Sequence, residues 1–498
     1  MHAAWKANCR AVDASQLAGL GQAWEDWDDA DLAELWRQAE ARRTHVYVHV
    51  PFCKSICSFC NYERLRPSRP ELLQDYTSRI EQTLATLAPA MARHTAHSLF
   101  IGGGTPSVLT AKQLGRVLTA LKRLDWHPEA GRTMEGDPAN LTAQKVQVAV
   151  EGGVEHLSFG IQTLDAEINR AHQRGPQGRE RVGDCFQAIT RSGARASCDF
   201  VLGLAGSSLE QILSEIDEVL STWRPSWVDV YQLTPTPAYI ERHFPDLDAF
   251  WAHLKPFQEG APAALEAIAR SHGYFIKRGR HHWWQLQRHE PDGFVPRIAY
   301  TPSSMEDGNP VNLLGLGPSA RGKIWATAHT RGSENGVRGR RVSLRDEARE
   351  HLVLTLRDGD TWTPSAFNQL FGGGLAEHFP KAIAAWTDQG LLVGNGLRPQ
   401  NRQERLEALL WLCDDEDIEW ELARGLGIDL SQRALEDLGF TARRQHVRVD
   451  GTWLRVRPPL TPGGKVRLLV KERRASFEAA AKRLAPLNRP REGTPGPD

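Results

Sequence analysis

The sequence predicts an α/β fold: a partial (β/α)6 TIM-like barrel over residues 44–330, followed by a smaller, mainly helical C-terminal domain. Two observations carry this. Between residues 44 and 275, short apolar runs of strand length alternate with longer amphipathic stretches. Connections that long join parallel neighbours, because antiparallel ones need only a hairpin. In addition, the residues with chemical character recur just after the strand-like runs, at the C-terminal mouth where ligands gather in such sheets. Six strands make a partial barrel, not an eight-fold one.

The expected strands cover residues 45–50, 98–102, 132–136, 154–160, 196–202 and 227–233, and the expected helices between them 70–90, 111–124, 143–151, 179–192 and 209–223. Ahead of the barrel, residues 1–43 form a helical extension whose acidic amphipathic helix spans 26–42. Residues 276–330, rich in Gly, Pro, Trp and His, should form irregular strands closing one side of the barrel. Residues 331–403 form the helical domain, with a short β-turn element within 343–398. A C-terminal extension over 404–487 carries an acidic patch at 414–417, read as a solvated helix start, and a strand-like run at 453–458. The Pro/Gly-rich tail 488–498 is expected to be disordered.

Bulk properties exclude several classes. Lys plus Arg equals Asp plus Glu at 61 each, so no global field favours nucleic acid or an anionic membrane. No apolar run approaches the ~18 residues of a transmembrane helix, and the N-terminus lacks a secretory profile. The expectation is a cytoplasmic protein with neither nucleic-acid nor membrane partners. Seven cysteines in 498 residues are not a disulfide scaffold. Cys9, Cys185, Cys198 and Cys413 are scattered and read as small, partly buried apolar side chains.

The other three cluster. Cys53, Cys57 and Cys60 follow the first strand with the spacing Cys-x3-Cys-x2-Cys. Three thiolates can hold three irons of a 4Fe–4S cube, whereas an electron carrier normally supplies a fourth cysteine; the remaining iron is then free for a small molecule. Zinc is the alternative, needing a fourth Cys or His, and His49 lies on the strand ahead. After the second strand, Ile101-Gly-Gly-Gly-Thr-Pro-Ser107 lets backbone approach a ligand closely. Glu135 ends the third strand, with Asp137 the better candidate to cap the following helix. Gln162 closes the fourth strand, Arg174 follows twelve residues later, and Asp199 lies in the fifth. His281, His282, Trp283 and Trp284 could contact a substrate, although surface His and packing Trp are more common.

This ordered set resembles the radical S-adenosylmethionine (SAM) superfamily, in the branch around oxygen-independent coproporphyrinogen III oxidase; the Gly315-Leu-Gly-Pro-Ser-Ala320 turn shares in the resemblance, which covers most of residues 44–400. It implies a 4Fe–4S cluster on Cys53, Cys57 and Cys60 and a SAM bound at its open iron. Tyr47, Phe59 (through its backbone), Gly103, Gly104, Thr105, Glu135, Gln162, Arg174 and Asp199 match positions that bind this SAM. Tyr47 joins the three cysteines in the catalytic set, and Gly102 belongs to the glycine motif. Gly103 and Val201 match parts of a second SAM pocket. The implied partners are a small-molecule substrate and a flavodoxin- or ferredoxin-type electron donor.

Departures from the pattern lie on the substrate side. The oxidase carries a further cysteine where this chain has Tyr62. The Arg-His-Asn…Tyr-Trp segment usual in the haem-chaperone branch is absent. Ala205-Gly206 stands where Pro is usual, and Ala320-Arg321-Gly322 replaces Ala-His-Ser. The pattern therefore leans to the class C radical SAM methyltransferases and cyclopropanases, in which a second SAM donates a methyl or methylene group to an sp2 carbon. The alternatives are a tetrapyrrole-acting enzyme (oxidative decarboxylation or anaerobic haem opening) and a haem chaperone.

Overall fold

The computed structural model describes residues 25–60, 62, 64–175, 177–278, 283–289, 305–306, 309–333, 336–357, 362–398, 410–412, 441–443, 446–449 and 452–455. Cys9, His281, His282, Cys413, the 414–417 patch and the 488–498 tail lie outside the described residues.

Six parallel strands form the core: β2 (Thr44–Val50), β3 (Ala96–Gly103), β4 (Trp126–Gly136), β5 (His156–Gln162), β6 (Arg195–Leu202) and β7 (Trp227–Gln232), hydrogen-bonded in that order. The helices between them are α2 (Glu71–Ala90), α3 (Ala111–Leu121), α4 (Ala143–Glu151), the short α5 (Ala166–Ala171), α6 (Arg179–Arg191) and α7 (Leu209–Thr222). This is the partial barrel the alternating pattern predicts, with most element ends within a few residues of expectation. Before β2, strand β1 (Glu25–Trp27) leads into helix α1 (Asp29–Gln38), which Asp28 starts by accepting from the Ala30 and Asp31 amides.

After β7 come α8 (Pro237–His243) and the 25-residue α9 (Leu247–Ser271). The sequence pattern hides α9, because Pro256, Gly260 and Pro262 read as breakers. Its buried face nevertheless runs Phe250, Leu254, Phe257, Ala261, Leu265, a helical repeat whose burial overrides local propensity. Strands β8 (Tyr274–Arg278) and β9 (Trp283–Arg288) extend the sheet, β9 pairing antiparallel with β7. After the short ladder of β10 (Met305–Glu306) and β11 (Asn309–Pro310), β12 (Asn312–Leu316) pairs parallel with β2. Strands β13 (Arg321–Ile324), β14 (Ala328–Gly332) and β15 (Val337–Arg341) then continue antiparallel to β1.

Alternation along the strands separates two environments. Outward side chains such as Val46, Val48, Leu99, Ile101, Leu157 and Phe200 pack with the helices in one continuous core. The barrel interior is more polar: His45 Nδ1 lies 2.7 Å from Ser98 Oγ, and His156 Nε2 lies 2.9 Å from Ser197 Oγ with its ring stacked on Trp227. Burial pushes the His156 imidazole down to about 3, so it is neutral at physiological pH.

The C-terminal region has its own apolar core. Helices α10 (Leu344–Arg357), α11 (Pro364–Phe371), α12 (Leu375–His378) and α13 (Pro380–Asp388) bury Leu352, Phe367, Phe371 and Trp386 beside a hairpin of β16 (Leu392–Val393) and β17 (Gly396–Leu397). Lys323 of β13 lies 2.5 Å from both Glu347 and Glu350 of α10, an entirely buried link between sheet and helix. Strands β18 (Thr441–Arg443), β19 (His446–Val449) and β20 (Thr452–Arg455) form a separate antiparallel sheet that takes in part of the 453–458 run. Among the described residues no helix is long and apolar enough to cross a membrane.

Candidate functional site

Strand register places the site. The parallel ladders pair Tyr47 with Phe100, Glu135 with Ser158, Gly160 with Asp199, and Asp199 with Asp229, so side chains from successive strands meet at the C-terminal mouth. They line a cavity of about 380 Å³ that also holds Cys53, Cys57, Phe59, Cys60, Gly103, Gly104, Thr105, Gln162, Arg174 and Val201. Every cluster and SAM candidate named from the sequence except Gly102 lines it. Gly102 sits just beneath, where a Cβ would come within 2.6 Å of the Glu135 carboxylate.

Gly103 has φ +111 and donates its N–H to Glu135 Oε2 at 3.2 Å; a Cβ there would meet the His49 ring at 2.7 Å. A Cβ on Gly104 would meet Phe52 O at 2.8 Å and Cys53 Sγ at 3.0 Å, so the glycine run lets the two loops touch. Thr105 Oγ1 donates to Cys53 Sγ at 3.3 Å. Tyr47 Oη lies 2.7 Å from His49 Nδ1, and its ring stacks on Phe100. Gln162 has φ +67, a left-handed conformation for a non-glycine residue at the strand end.

Arg174 reaches further than a solvated surface residue would. Its Nη2 lies 2.9 Å from Asp137 Oδ2 and donates to Gly160 O at 2.5 Å, while Nη1 donates to Cys57 Sγ at 3.7 Å. Burial works against its charge, but Asp137 and Cys57 hold the guanidinium protonated. Asp137 therefore serves the site and not the helix. Its Oδ1 accepts from the Ala139 amide in a turn, whereas helix α4 is capped by Thr142, contrary to the sequence reading.

Among the described residues, only His329, Glu347 and Glu350 form a trio of metal-type ligand atoms all within 4.8 Å of one another, and the Lys323 ammonium already neutralises that trio. The three cysteine sulfurs are spread wider. A single tetrahedral zinc at Zn–S ~2.3 Å draws its sulfurs to about 3.8 Å apart, so the three sulfurs are not gathered around one zinc position. Burial pushes the Cys53 and Cys60 thiols up, a shift that iron bound to the thiolates would reverse.

Several participants escape sequence reading. Ser58, inside the cysteine loop, is gripped from outside it: its Oγ lies 3.2 Å from His172 Nδ1 and 2.9 Å from His243 Nε2, and its N–H donates to His172 O. Ala205 N–H donates to Tyr239 Oη at 2.9 Å, a bond that proline at that position could not make. Trp283 Nε1 donates to Asp229 at 3.0 Å, so this tryptophan supports the site as well as packing. Nothing local in the sequence marks Ser58, His172, His243 or Tyr239, and the bonds of Ala205 and Trp283 stay hidden because each acts through a partner distant in the chain.

Burial pushes Glu135 up to about 7, opposed only by the Gly103 N–H. The native state therefore holds a proton that the unfolded chain releases. The corresponding stability is present at low pH and is lost as pH rises from 4.5 through about 7, by ~3 kcal/mol for this group. Urea midpoints for a Glu135→Gln variant should exceed wild type at about pH 8 and match it at about pH 4.

Six parallel strands with a three-cysteine loop after the first and a glycine turn after the second are the architecture expected of a radical SAM domain, and residues 47–219 match the family described as the Radical SAM superfamily. Such a domain is a fold for binding a 4Fe–4S cluster and SAM. The heme chaperone HemW of Bacillus subtilis (strain 168) is 24% identical over 369 residues, 70% of this chain and 92% of that protein. The anaerobilin synthase of Escherichia coli O157:H7 is 29% identical over 187 residues, 36% of this chain and 42% of that protein. The oxygen-independent coproporphyrinogen III oxidase of Salmonella typhimurium is 28% identical over 151 residues, 30% of this chain and 33% of that protein. The chain thus spans less than half the length of the latter two. The solved coproporphyrinogen III oxidase of Escherichia coli shares the fold at TM-score 0.60 and 18% identity, over 79% of this chain and 95% of that one. These similarities favour a tetrapyrrole-related branch over the class C methyltransferases to which the sequence pattern leans. The motifs carrying the resemblance are those that match SAM-binding positions, and so do not separate the branches.

Proposed function

We propose that this chain is a radical SAM enzyme acting on a tetrapyrrole. The carrying observation is the mouth of the cavity, where Tyr62 and Tyr231, 62% and 42% exposed, stand at the rim above the cysteine loop and Arg174. Exposed aromatic rings beside a reactive centre suit a flat, largely apolar substrate, and the curated relatives above are named for heme, coproporphyrinogen III and anaerobilin.

In this reading Cys53, Cys57 and Cys60 would hold a 4Fe–4S cluster, which when bound would supply the low-potential electron for reductive cleavage of SAM. Thr105 and Arg174 stabilise the thiolates by hydrogen bonds to sulfur. The Gly102–Gly104 backbone, Glu135, Gln162 and Asp199 surround and orient SAM, and Tyr47 and Phe100 wall the cavity below. A flavodoxin- or ferredoxin-type protein would deliver the electron from the loop side.

A second reading, transfer of a methyl or methylene group from a second SAM to an sp2 carbon, is supported by Gly103 and Val201 lining the same cavity. One anaerobic experiment separates the possibilities: reconstituted protein, SAM and a low-potential reductant, with haem or coproporphyrinogen III added. The tetrapyrrole reading expects one of them to be consumed as 5′-deoxyadenosine accumulates. Both recovered intact, or haem bound stoichiometrically without turnover, would overturn it. S-adenosylhomocysteine formed in step with the nucleoside would establish the second SAM as carbon donor.

A further inference from the structure

We propose that Asp229 is a positioning residue that fixes the protonation of its neighbour: locked as a carboxylate by three N–H donors, it leaves the proton of the pair on Asp199, which then offers an O–H donor and a carbonyl acceptor to the ligand in the cavity. This rests on the radical SAM reading of the cavity but not on the tetrapyrrole reading.

The two aspartates face each other in register on β6 and β7 and line the same cavity. Their surroundings differ sharply. Asp229 Oδ2 accepts from Trp227 Nε1 at 3.0 Å, and Oδ1 accepts from Trp283 Nε1 at 3.0 Å and Gln285 Nε2 at 3.1 Å. An indole N–H can only donate. A proton on Asp229 would weaken these bonds, because a neutral carboxyl accepts more feebly than a carboxylate, so the arrangement favours the ionised form. Asp199 makes no hydrogen bond to a described side chain, and its carboxyl opens toward the cavity.

Two adjacent carboxyls at this depth do not both ionise unless a cation intervenes. The charged and titratable groups facing the pair are Glu135 from β4 and Arg174 from the loop after α5, with Cys198 beside Asp199 on the opposite face of β6. Arg174 is already committed to Asp137. Burial pushes Asp229 only to about 6, because its three donors oppose the rise. Burial, then Asp229 and Glu135, push Asp199 well above the carboxylate range, against Arg174. Geometry and charge thus put the proton on the same residue.

A neutral carboxyl matches a hydroxyl, which both donates and accepts, and mismatches an ammonium group, which only donates. The partner expected for Asp199 is therefore a ligand hydroxyl rather than an ammonium group.

Infrared spectroscopy of the anaerobic protein at neutral pH reads the protonation directly. The expected result is a protonated-carboxyl C=O band that disappears in Asp199→Asn and that titrates away at lower pH in Asp229→Asn, where the neighbouring charge is gone while burial and Glu135 remain. No band lost in Asp199→Asn overturns the proposal, and this arm does not require the Asp229 variant to fold. SAM binding by calorimetry gives a second readout. In Asp229→Asn, affinity should fall about tenfold per pH unit above the new Asp199 pKa, while wild type stays flat across neutrality. A uniform loss at every pH would mean that Asp229 is merely structural. A wild-type protein that carries the cluster and does not bind SAM would refute the radical SAM reading while leaving the infrared result intact.

Discussion

A Cys57→Ala variant, reconstituted anaerobically with iron and sulfide, is expected to lack 4Fe–4S absorption and to form no 5′-deoxyadenosine from SAM and reductant, while its far-ultraviolet circular dichroism matches wild type. The sulfur sits in a half-buried loop and contributes nothing to the main apolar core, so its loss should spare the fold. It does remove one of three ligands from a cube that has no fourth protein cysteine in the same loop. It also frees the Arg174 Nη1 that donates to it. Thr105→Val makes the graded comparison: all three ligands stay, but the hydroxyl that donates to Cys53 is lost, and cluster affinity should fall about 10–100-fold. A Cys57→Ala protein with an unchanged cluster spectrum would remove the premise of the proposed function.

How far the molecule could be read from its chain depends on the distance over which each feature is encoded. The six barrel strands are legible because each is a short run carrying regularly placed apolar residues and alternating with long amphipathic stretches, and the cysteine and glycine motifs because they are contiguous. The sequence also places Glu135 and Gln162 at strand ends and Asp199 within the fifth strand, and register then does the rest, since parallel pairing brings equivalent positions to one mouth. Helix α9 is not legible, because two prolines and a glycine sit inside it and only tertiary burial of Phe250, Leu254 and Phe257 reveals its face. The supports are no more visible: Asp229 depends on Trp283 across an antiparallel pair, and Ser58 depends on His172 and His243, more than a hundred residues away. Substrate choice is written at the rim, in isolated residues such as Tyr62 and Tyr231 that follow no spacing rule.

The Arg174–Asp137 pair gives the largest expected effect on stability. An Arg174→Met substitution should lower the unfolding free energy by about 3–5 kcal/mol, because it strands the Asp137 carboxylate in a site where both side chains are nearly closed to solvent, at 8% and 14% exposure. The Gly160 carbonyl loses its donor in the same step. Adding Asp137→Asn to the Arg174→Met variant should recover much of the loss, since a neutral amide can still accept from the Ala139 amide without the unpaired charge. The double-mutant cycle, measured by urea unfolding, should therefore show strong coupling. If Arg174→Met costs no more than an exposed ion pair, about 1 kcal/mol at most, the pair is not the buried clamp described here. Activity separates the two roles of Arg174: the double variant should regain stability without regaining 5′-deoxyadenosine formation, because neither substitution restores the donor to Cys57 Sγ or the positive charge beside the SAM site.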